Sequence, residues 1–469
     1  MQLGDILDDV PLDVATSSLE ITRVENDSRR CGPGALFFAM PGTHQHGVAF
    51  AREAVALGAE CVVGDVRIEL DAPVVVVPAS QLPALLAHAS ATIVDHPEVK
   101  AKLVGVTGTN GKTSVTTILA SLADVIGWNA ASIGTLTNER TTPASPELYR
   151  TLAELIASFD PVRRHSVIAL EVSSHAIDQR RIEGLRFCVA AFTNLSHDHL
   201  DYHGTMEEYF LTKARLFGEE YAKHAVIWVD DSYGERLAEL TELPTTRVSR
   251  SDASEVLSSL RGSTFFWRGH LVNSALVGGY NVDNALMAMA IMSALGADDA
   301  LIAASMADVS SVPGRFDVLY GSGITVIVDY AHTPEGLDRL LGDVRVLQPE
   351  GRLITVFGAG GDRDRSKRPE MGRAASSASD LTIVTSDNPR SEMPDAIIDA
   401  VMSGVGSGEQ VLRESDRRQA ISLAIEGARA GDVVVIAGKG HESTQTVGDL
   451  VIPFDDREIA KELLRSASC

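Results

Sequence analysis

Short β-rich runs alternate with helical stretches along the whole chain: CVVGD, PVVVVPAS, KLVGVTG, SVIALEV, AAFTNL, HAVIWVDD, ITVIVDY, RLITVFGAG, LTIVTSD and DVVVIAGKG. Strands separated by helical stretches point to crossover connections rather than hairpins, so the pattern predicts an α/β fold built on parallel, doubly wound sheets. Several of these runs end in Gly, Asp, Asn or Ser, at the carboxyl end of the strand where open α/β sheets place their ligands. Function is sought at those tips.

At 469 residues and roughly 150 residues per domain, the chain has room for about three domains. Pro97 in DHPEVKAK and Pro313-Gly314 in SVPGRF interrupt helical stretches. They predict an N-terminal domain over 1–97, a central one over 98–313 and a C-terminal one over 314–469. The Ser-rich stretch from Ser249 to Ser263 reads as a surface loop.

Lys plus Arg number 41 against 64 Asp plus Glu, a net charge of −23 that repels nucleic-acid backbones and anionic lipid at long range. Neither nucleic acid nor membrane is expected as a partner. Cys31, Cys61, Cys188 and Cys469 are too scattered for a disulfide framework or a zinc cluster, and read as reduced thiols. The N-terminus MQLGDILDDVPLDV is acidic where a secretory leader would be basic, so a cytoplasmic protein is expected.

The strongest local signal is KLVGVTGTNGKTSVTTILASLADVIG, in which a β-branched run meets Gly108-Thr109-Asn110-Gly111-Lys112-Thr113-Ser114 and then a helical pattern. Glycines let backbone N–H groups approach phosphates, the helix start adds its dipole, Lys112 reaches the outer phosphates and the Thr113 hydroxyl can ligate Mg2+. The strict phosphate-loop spacing would place Gly at Val106, so this is a variant. Glu171 follows SVIAL beside Ser173-Ser174-His175, and AAFTNL leads to SHDHLDYHG, with His197, Asp198, His199 and His203. Carboxylate and imidazole at strand tips suit a magnesium-phosphate site. Read alone, HDHLDYH is open to two other readings, a zinc site or merely a polar loop. Thr205 to Glu208 spells a capping box, and Lys213 in the following helix reads by itself as a snorkelling surface lysine.

GVTGTNGKTS, EVSSHAIDQRR, FTNLSHDHLDYHGTMEEYFLTKARLF, GGYNVDNALMA, VPGRFD, VDYAHTPEGL, GAGGDRDRSKRPEMG, SDNPR and GKGHE occur in the order seen in Mur ligases, and DSRRCGPGALFFAMPG resembles their nucleotide-sugar-binding domain. The resemblance is to the tripeptide-synthetase branch of that family and covers essentially the whole chain. It implies a central P-loop ATPase domain, a Rossmann-like C-terminal domain and a smaller N-terminal α/β substrate domain. The implied reaction is ATP-dependent amide ligation, joining meso-diaminopimelate to the D-Glu γ-carboxyl of UDP-MurNAc-L-Ala-D-Glu through an acyl phosphate, in peptidoglycan precursor synthesis. A monomer is expected, with ATP as co-substrate.

By the same resemblance, Lys112, Glu171, His199 and Lys213 carry catalysis. Thr113 and Glu171 hold one Mg2+, and His199 with Lys213, carbamylated to N6-carboxylysine, serves a second. Gly108 to Ser114, Asn281, Arg315 and Asp329 bind ATP. Ser28, Thr141, Thr142, Ser174, Gln179 and Arg181 bind the nucleotide-sugar peptide. Arg363, Asp387, Asn388, Arg390, Gly438 and Glu442 bind diaminopimelate, Arg390 gripping a carboxylate and Glu442 the distal ammonium. His46 and Trp228 depart from the family pattern. The alternatives are the same ligation with L-lysine or another amino acid, a sister ligase, and a non-catalytic nucleotide-binding paralogue, which would be expected to lack Lys112, Glu171, His199 or Lys213.

Overall fold

A computed structural model describes residues 1–42, 45–138 and 140–466; Cys469 lies outside them. The architecture is α/β, and two compact units divide the chain. One comprises Met1–Gly105, Gly127–Ala190 and Arg215–Lys223, the other Val106–Ile126, Ala191–Ala214 and His224–Cys469.

In the first unit, β1 (Arg23–Glu25), β2 (Ala35–Phe38), β3 (Ala59–Gly64) and β4 (Val74–Val76) form a parallel sheet in sequence order. Every residue of β2 is buried. Its side chains alternate: Leu36 and Phe38 join a core with Leu3, Ile6 and Leu86, while Ala35 and Phe37 pack with Ala51 and Ala54. Such a strand is covered on both faces, hence the unbroken apolar run.

Six further strands, β5 (Lys102–Thr107), β6 (Asn129–Ile133), β7 (Ser166–Glu171), β8 (Val189–Phe192), β9 (Ala225–Trp228) and β10 (Thr245–Val248), lie in the order β10-β9-β8-β5-β7-β6. The non-sequential order is the mark of crossover connections.

The second unit also holds β11 (Ala253–Ser259), β12 (Gly262–Trp267) and β13 (His270–Ser274), paired antiparallel. This corrects the reading of Ser249 to Ser263 as a loop. β11 is an edge strand whose residues are mostly exposed, so it needs no apolar face. The buried side of the meander comes from Phe265 and Trp267 of β12.

A last large sheet runs β14-β15-β19-β16-β17-β18, with β14 (Asp317–Gly321) antiparallel at one edge of the otherwise parallel β15 (Ile324–Asp329), β16 (Leu353–Phe357), β17 (Leu381–Val384), β18 (Val411–Arg413) and β19 (Val433–Ala437). Central β19 sends Val433, Val435 and Ala437 into one core and Val434 and Ile436 into the other. The hairpin β20 (Thr444–Val447) and β21 (Leu450–Pro453) follows.

Pro97 does not itself break a helix. The helix Leu82–Thr92 has already ended, Asp95 and His96 take positive φ, and Pro97 opens the 3-10 turn Pro97–Val99. Pro313 and Gly314 lie in a loop, where a Cβ on Gly314 would sit 2.2 Å from the His441 nitrogen. Cys31, Cys61 and Cys188 are free thiols. Among the described residues no helix is long and apolar enough to cross a membrane.

Candidate active site

β5 runs into Gly108 to Gly111 and then the helix Lys112–Val125. Gly108 has φ +148° and Gly111 +84°, a region that a side chain strains. A Cβ on Gly108 would also lie 1.9 Å from Thr193 Oγ1. The tip of β8 stitches this loop in place. Thr109 N donates to Asn194 O (2.9 Å), Asn110 N to Asn194 Oδ1 (2.9 Å), and Thr193 Oγ1 and Asn194 Nδ2 to Asn110 O (2.6 and 3.1 Å). The sequence alone does not mark Thr193 and Asn194, although they open the same TNLSHDH run.

Three basic side chains converge here. Lys112 Nζ donates to the carbonyls of Gly108 (3.0 Å) and Thr109 (2.9 Å). Lys213 Nζ donates to the same Gly108 carbonyl (2.9 Å) and to Thr107 Oγ1 (3.3 Å). Arg315 Nη2 donates to Thr113 Oγ1 (3.3 Å), its guanidinium 4.1 Å from the centre of the Tyr330 ring. Lys213 is 1% exposed, which corrects its reading as a snorkelling surface lysine. Its helix, Met206–Ala214, turns this face inward with Tyr209 and Phe210, and Nζ lies 4.7 Å from the Tyr209 ring centre. Burial, then the neighbouring Lys112 charge, pushes the Lys213 ammonium well below its usual pKa. Thr205 Oγ1 accepts from Glu208 N (3.1 Å), the first half of the expected capping box.

The HDHLDYH imidazoles go to different partners. His197 meets Asp364 (3.3 Å) and Glu370 (3.5 Å), while His203 stacks on Tyr209. His199 takes φ +54° and its Nε2 lies 3.6 Å from Asp198 Oδ2. Among the described residues no group of three or more His, Cys, Asp or Glu is gathered as a metal cage. The buried member is Asp198, facing Lys367 Nζ at 3.4 Å. Burial opposes its charge, yet Lys367 and His199 hold its carboxyl below the usual range. His332 is pushed down to about 4 by burial and then by Lys367, so it is a neutral imidazole at pH 7.

Asn281 and Asp329 are both buried. Asn281 Nδ2 donates to Val277 O (2.7 Å) and its Oδ1 accepts from Asn284 (3.3 Å). Asp329 accepts from Tyr280 Oη (2.7 Å), Phe316 N (2.8 Å) and Ala331 N (2.7 Å). Its carboxylate therefore ties the helix Gly279–Ala294 and the loop before β14 to the tip of β15.

In the first unit, Glu171 ends β7, 1% exposed, and accepts from Thr135 N (2.8 Å) and Thr135 Oγ1 (3.3 Å). Gly134 is required beside it, since a Cβ there would lie 2.1 Å from Glu171 Oε1. Thr141 Oγ1 reaches Thr135 Oγ1 (3.1 Å), and Thr142 Oγ1 donates to Glu171 O (2.8 Å). Arg181 donates to Thr142 O (3.0 Å) and Gln179 Oε1 (2.6 Å). Ser174 is buried in the short helix Ser174–Asp178. Ser28 Oγ donates to Glu53 (2.6 Å), and His46 Nδ1 caps the turn after it by accepting from Val48 N (3.2 Å). The four expected catalytic side chains are thus divided, Glu171 in the first unit and Lys112, His199 and Lys213 in the second.

A second polar cluster sits at the tips of β16, β17 and β19. Arg390 takes φ +52°; its N donates to Thr446 O (3.1 Å), its carbonyl accepts from Gly448 N (2.7 Å) and Nη1 donates to Gly361 O (2.6 Å). A Cβ on Gly360 would meet Arg390 Nη1 at 3.1 Å and Arg363 Cγ at 3.7 Å, so the two arginines flank that glycine. Gly438 has φ +115°, and Asp387 Oδ2 would lie 2.6 Å from a Cβ there. Asn388 Nδ2 donates to Glu442 Oε2 (2.8 Å). Beneath, Arg417 is wholly buried, paired with Asp456 (2.7 Å) and donating to the carbonyls of Ser386 (3.3 Å) and Ala437 (3.0 Å), the residues preceding the DNPR and GKGHE runs. Arg368 grips Glu392 through both terminal nitrogens (3.0 and 2.8 Å), and that guanidinium draws the Glu392 carboxyl down to about 2.

Three family models match in order: the Mur ligase family catalytic domain over residues 20–107, the Mur ligase middle domain over 106–292, and the Mur ligase glutamate ligase domain over 314–440. The chain is 42% identical to a UDP-N-acetylmuramoyl-L-alanyl-D-glutamate--2,6-diaminopimelate ligase of Gloeobacter violaceus, over 99% of this chain and 98% of that protein. It is 39% identical to the protein of the same name from Aquifex aeolicus, over 94% and 93%. A solved structure of a ligase with that name superposes with TM-score 0.66 at 31% identity, covering 99% of both chains. The MurF ligase of Thermotoga maritima, solved in complex with ADP, shares the fold at TM-score 0.64 and 18% identity, over 95% and 97%. With near-complete coverage at such identity, this chain belongs to the Mur ligase family.

Proposed function

We propose that this protein is an ATP-dependent ligase that joins meso-diaminopimelate to the D-Glu γ-carboxyl of UDP-MurNAc-L-Ala-D-Glu, in peptidoglycan precursor synthesis. The observation that carries the phosphate half of this reading is the convergence of Lys112, Lys213 and Arg315 on the Gly108-to-Thr113 turn. Fixed cations at Lys112 and Arg315, set on a glycine turn at a helix N-terminus, suit a polyphosphate. The amide-ligation half is supported by relatives of that name at about 40% identity.

In the proposed sequence, a γ-carboxylate oxygen of D-Glu attacks the terminal phosphorus of ATP and ADP departs. The amine then attacks the acyl carbon, and the tetrahedral intermediate expels phosphate. Lys112 holds the moving phosphoryl oxygens, and Asn281, Arg315 and Asp329 hold the nucleoside and its phosphates. Magnesium fits the donors present: the Thr113 hydroxyl has its lone pair turned to a cation, and Glu171 is a buried carboxylate. Thr113 and Glu171 are proposed as oxygen ligands, and His199 and a carboxylated Lys213 as the ligands of a second ion. When bound, magnesium neutralises the repulsion between carboxylate and triphosphate. Ser28, Thr141, Thr142, Ser174, Gln179 and Arg181 are assigned to the nucleotide-sugar peptide, and the division 1–97, 98–313 and 314–469 to its three substrate-handling domains. The protein is expected to act in the cytoplasm as a monomer.

Arg363, Asp387, Asn388, Arg390, Gly438 and Glu442 are assigned to the diamino acid. Two arginines beside Gly360 supply guanidinium groups suited to carboxylates, which such groups bind through paired hydrogen bonds. The test is phosphate release from ATP with the nucleotide dipeptide present and amino acids added one at a time. Meso-diaminopimelate should be fastest. Faster ligation of L-lysine or L-ornithine would overturn the amino-acid assignment and leave the ligase standing. Stranding a carboxylate costs about 2–5 kcal/mol, so Arg390→Ala should weaken use of meso-diaminopimelate roughly 30-fold or more, while the KM for ATP holds.

A further inference from the structure

Inside the diamino-acid cluster lies a cation that none of the assignments above uses. Lys439 follows Gly438 at the tip of β19 and its side chain is 0% exposed. Its three N–H groups meet three acceptors: Asn388 Oδ1 (3.3 Å), Glu442 Oε2 (3.0 Å) and Thr444 O (2.6 Å). An ammonium has three donors, so Lys439 is saturated by the protein and does not reach for a ligand. Its effect passes through its partners.

Two consequences follow. Asn388 Oδ1 accepts from both Lys439 and Thr446 N (2.9 Å), which fixes the amide with Nδ2 towards Glu442. Glu442 Oε2 takes that Nδ2 and the Lys439 ammonium together, so the carboxylate already carries its counter-charge before any substrate arrives. Arg417, bound from below by Asp456, also feels the Asp387 and Glu442 charges and adds to the positive surroundings of Glu442. A diamino acid ending in a bare ammonium would bring a second cation to a carboxylate that is already neutralised. One ending in ammonium plus carboxylate adds no net charge there and offers Arg390 an anion. Discrimination of this kind comes from an unfavourable contact built against the wrong ligand.

We propose that Lys439 is a specificity residue: by occupying Glu442 it makes the pocket reject diamino acids that end in a bare ammonium. The inference rests on the diaminopimelate-ligase reading and goes beyond it by naming what excludes L-lysine. Lys439→Met and Lys439→Gln remove the charge, the second keeping a donor for Thr444 O. In either variant kcat/KM for L-lysine should rise, and the preference for meso-diaminopimelate over L-lysine should fall at least tenfold, with the KM for ATP unchanged. A merely structural role would lower both substrates together, so a gain with L-lysine is diagnostic. An unchanged ratio in a folded variant, or parallel loss with both substrates, overturns the proposal. A measurement on the unmodified protein stands apart from folding of the variants. There, L-2-aminohexanoate, which matches L-lysine in chain length but lacks its terminal ammonium, should inhibit more strongly than L-lysine, and equal or weaker inhibition counts against the charge argument. If the unmodified protein ligates no diamino acid at all, the ligase reading is what has failed.

Discussion

Replacing Lys112 by alanine should lower ligation at least 100- to 1,000-fold and leave the protein folded. Lys112 is the first residue of its helix and only half-buried, and its Nζ bonds two carbonyls of the turn it serves. Losing those bonds costs the fold about 1–3 kcal/mol at a typical 0.5–1.5 kcal/mol each. The loss in catalysis is of another kind. A fixed cation aimed at phosphoryl oxygens interacts most strongly where charge moves, and removing one oriented group of this sort typically costs about 2.7–4 kcal/mol in the transition state. The fall should therefore appear mainly in kcat. Lys112→Arg should rescue little, because a planar fork does not replace a compact ammonium in a turn this tight. Phosphate release with all substrates saturating, beside a thermal melt, decides the matter. Near-normal turnover in a folded Lys112→Ala protein would remove the phosphate-loop assignment.

The parts of this protein that could be read from sequence are those whose signal is local. β19 and β16 are apolar on both faces and flanked by loop residues, so VVVIA and LITVF announce themselves. The phosphate turn is a few consecutive residues between a strand and a helix. By contrast β11 escapes because its residues are mostly exposed and polar, and β1 and β18 are three residues each. The site divides in the same way. Gly108, Lys112 and Arg390 sit in runs that carry their own geometry, and resemblance to a family supplied their roles. The groups that hold those runs in place are distant in sequence: Asp198 and Lys367 are 169 residues apart, Asn388 and Lys439 51, Arg417 and Asp456 39. Nothing in the sequence marks Lys367, Arg417 or Lys439 as buried. Only folding shows that each is buried against a named acceptor, and burial turns a charge into a constraint.

Lys213 is the case in which that lesson bears on chemistry, and Lys213→Ala should reduce ligation at least about 100-fold, with short-chain carboxylic acids restoring part of it. An ammonium wholly enclosed by the Tyr209 ring, Thr107 and the Gly108 carbonyl is poorly solvated, and Lys112 adds like charge. Both causes favour the neutral amine, the form that can attack carbon dioxide. Nζ then bonds to the carbon of carbon dioxide and releases a proton, leaving an N-carboxylate. The Lys112 charge that opposes the ammonium stabilises this anion, so one neighbour drives the conversion in both its steps. A carbamate is an oxygen donor suited to magnesium, whereas an ammonium repels it. In the alanine variant the vacated space is lined by the same groups, and acetate or propionate can place a carboxylate there. Rescue should saturate with added acid, should fail with the corresponding amides and should be absent in Lys112→Ala, whose lesion is a lost cation. Labelled bicarbonate should give a carbamate resonance in the unmodified protein and none in Lys213→Ala. An active enzyme in which Lys213 is shown to be an unmodified amine would refute the carbamate role, whatever the alanine variant does.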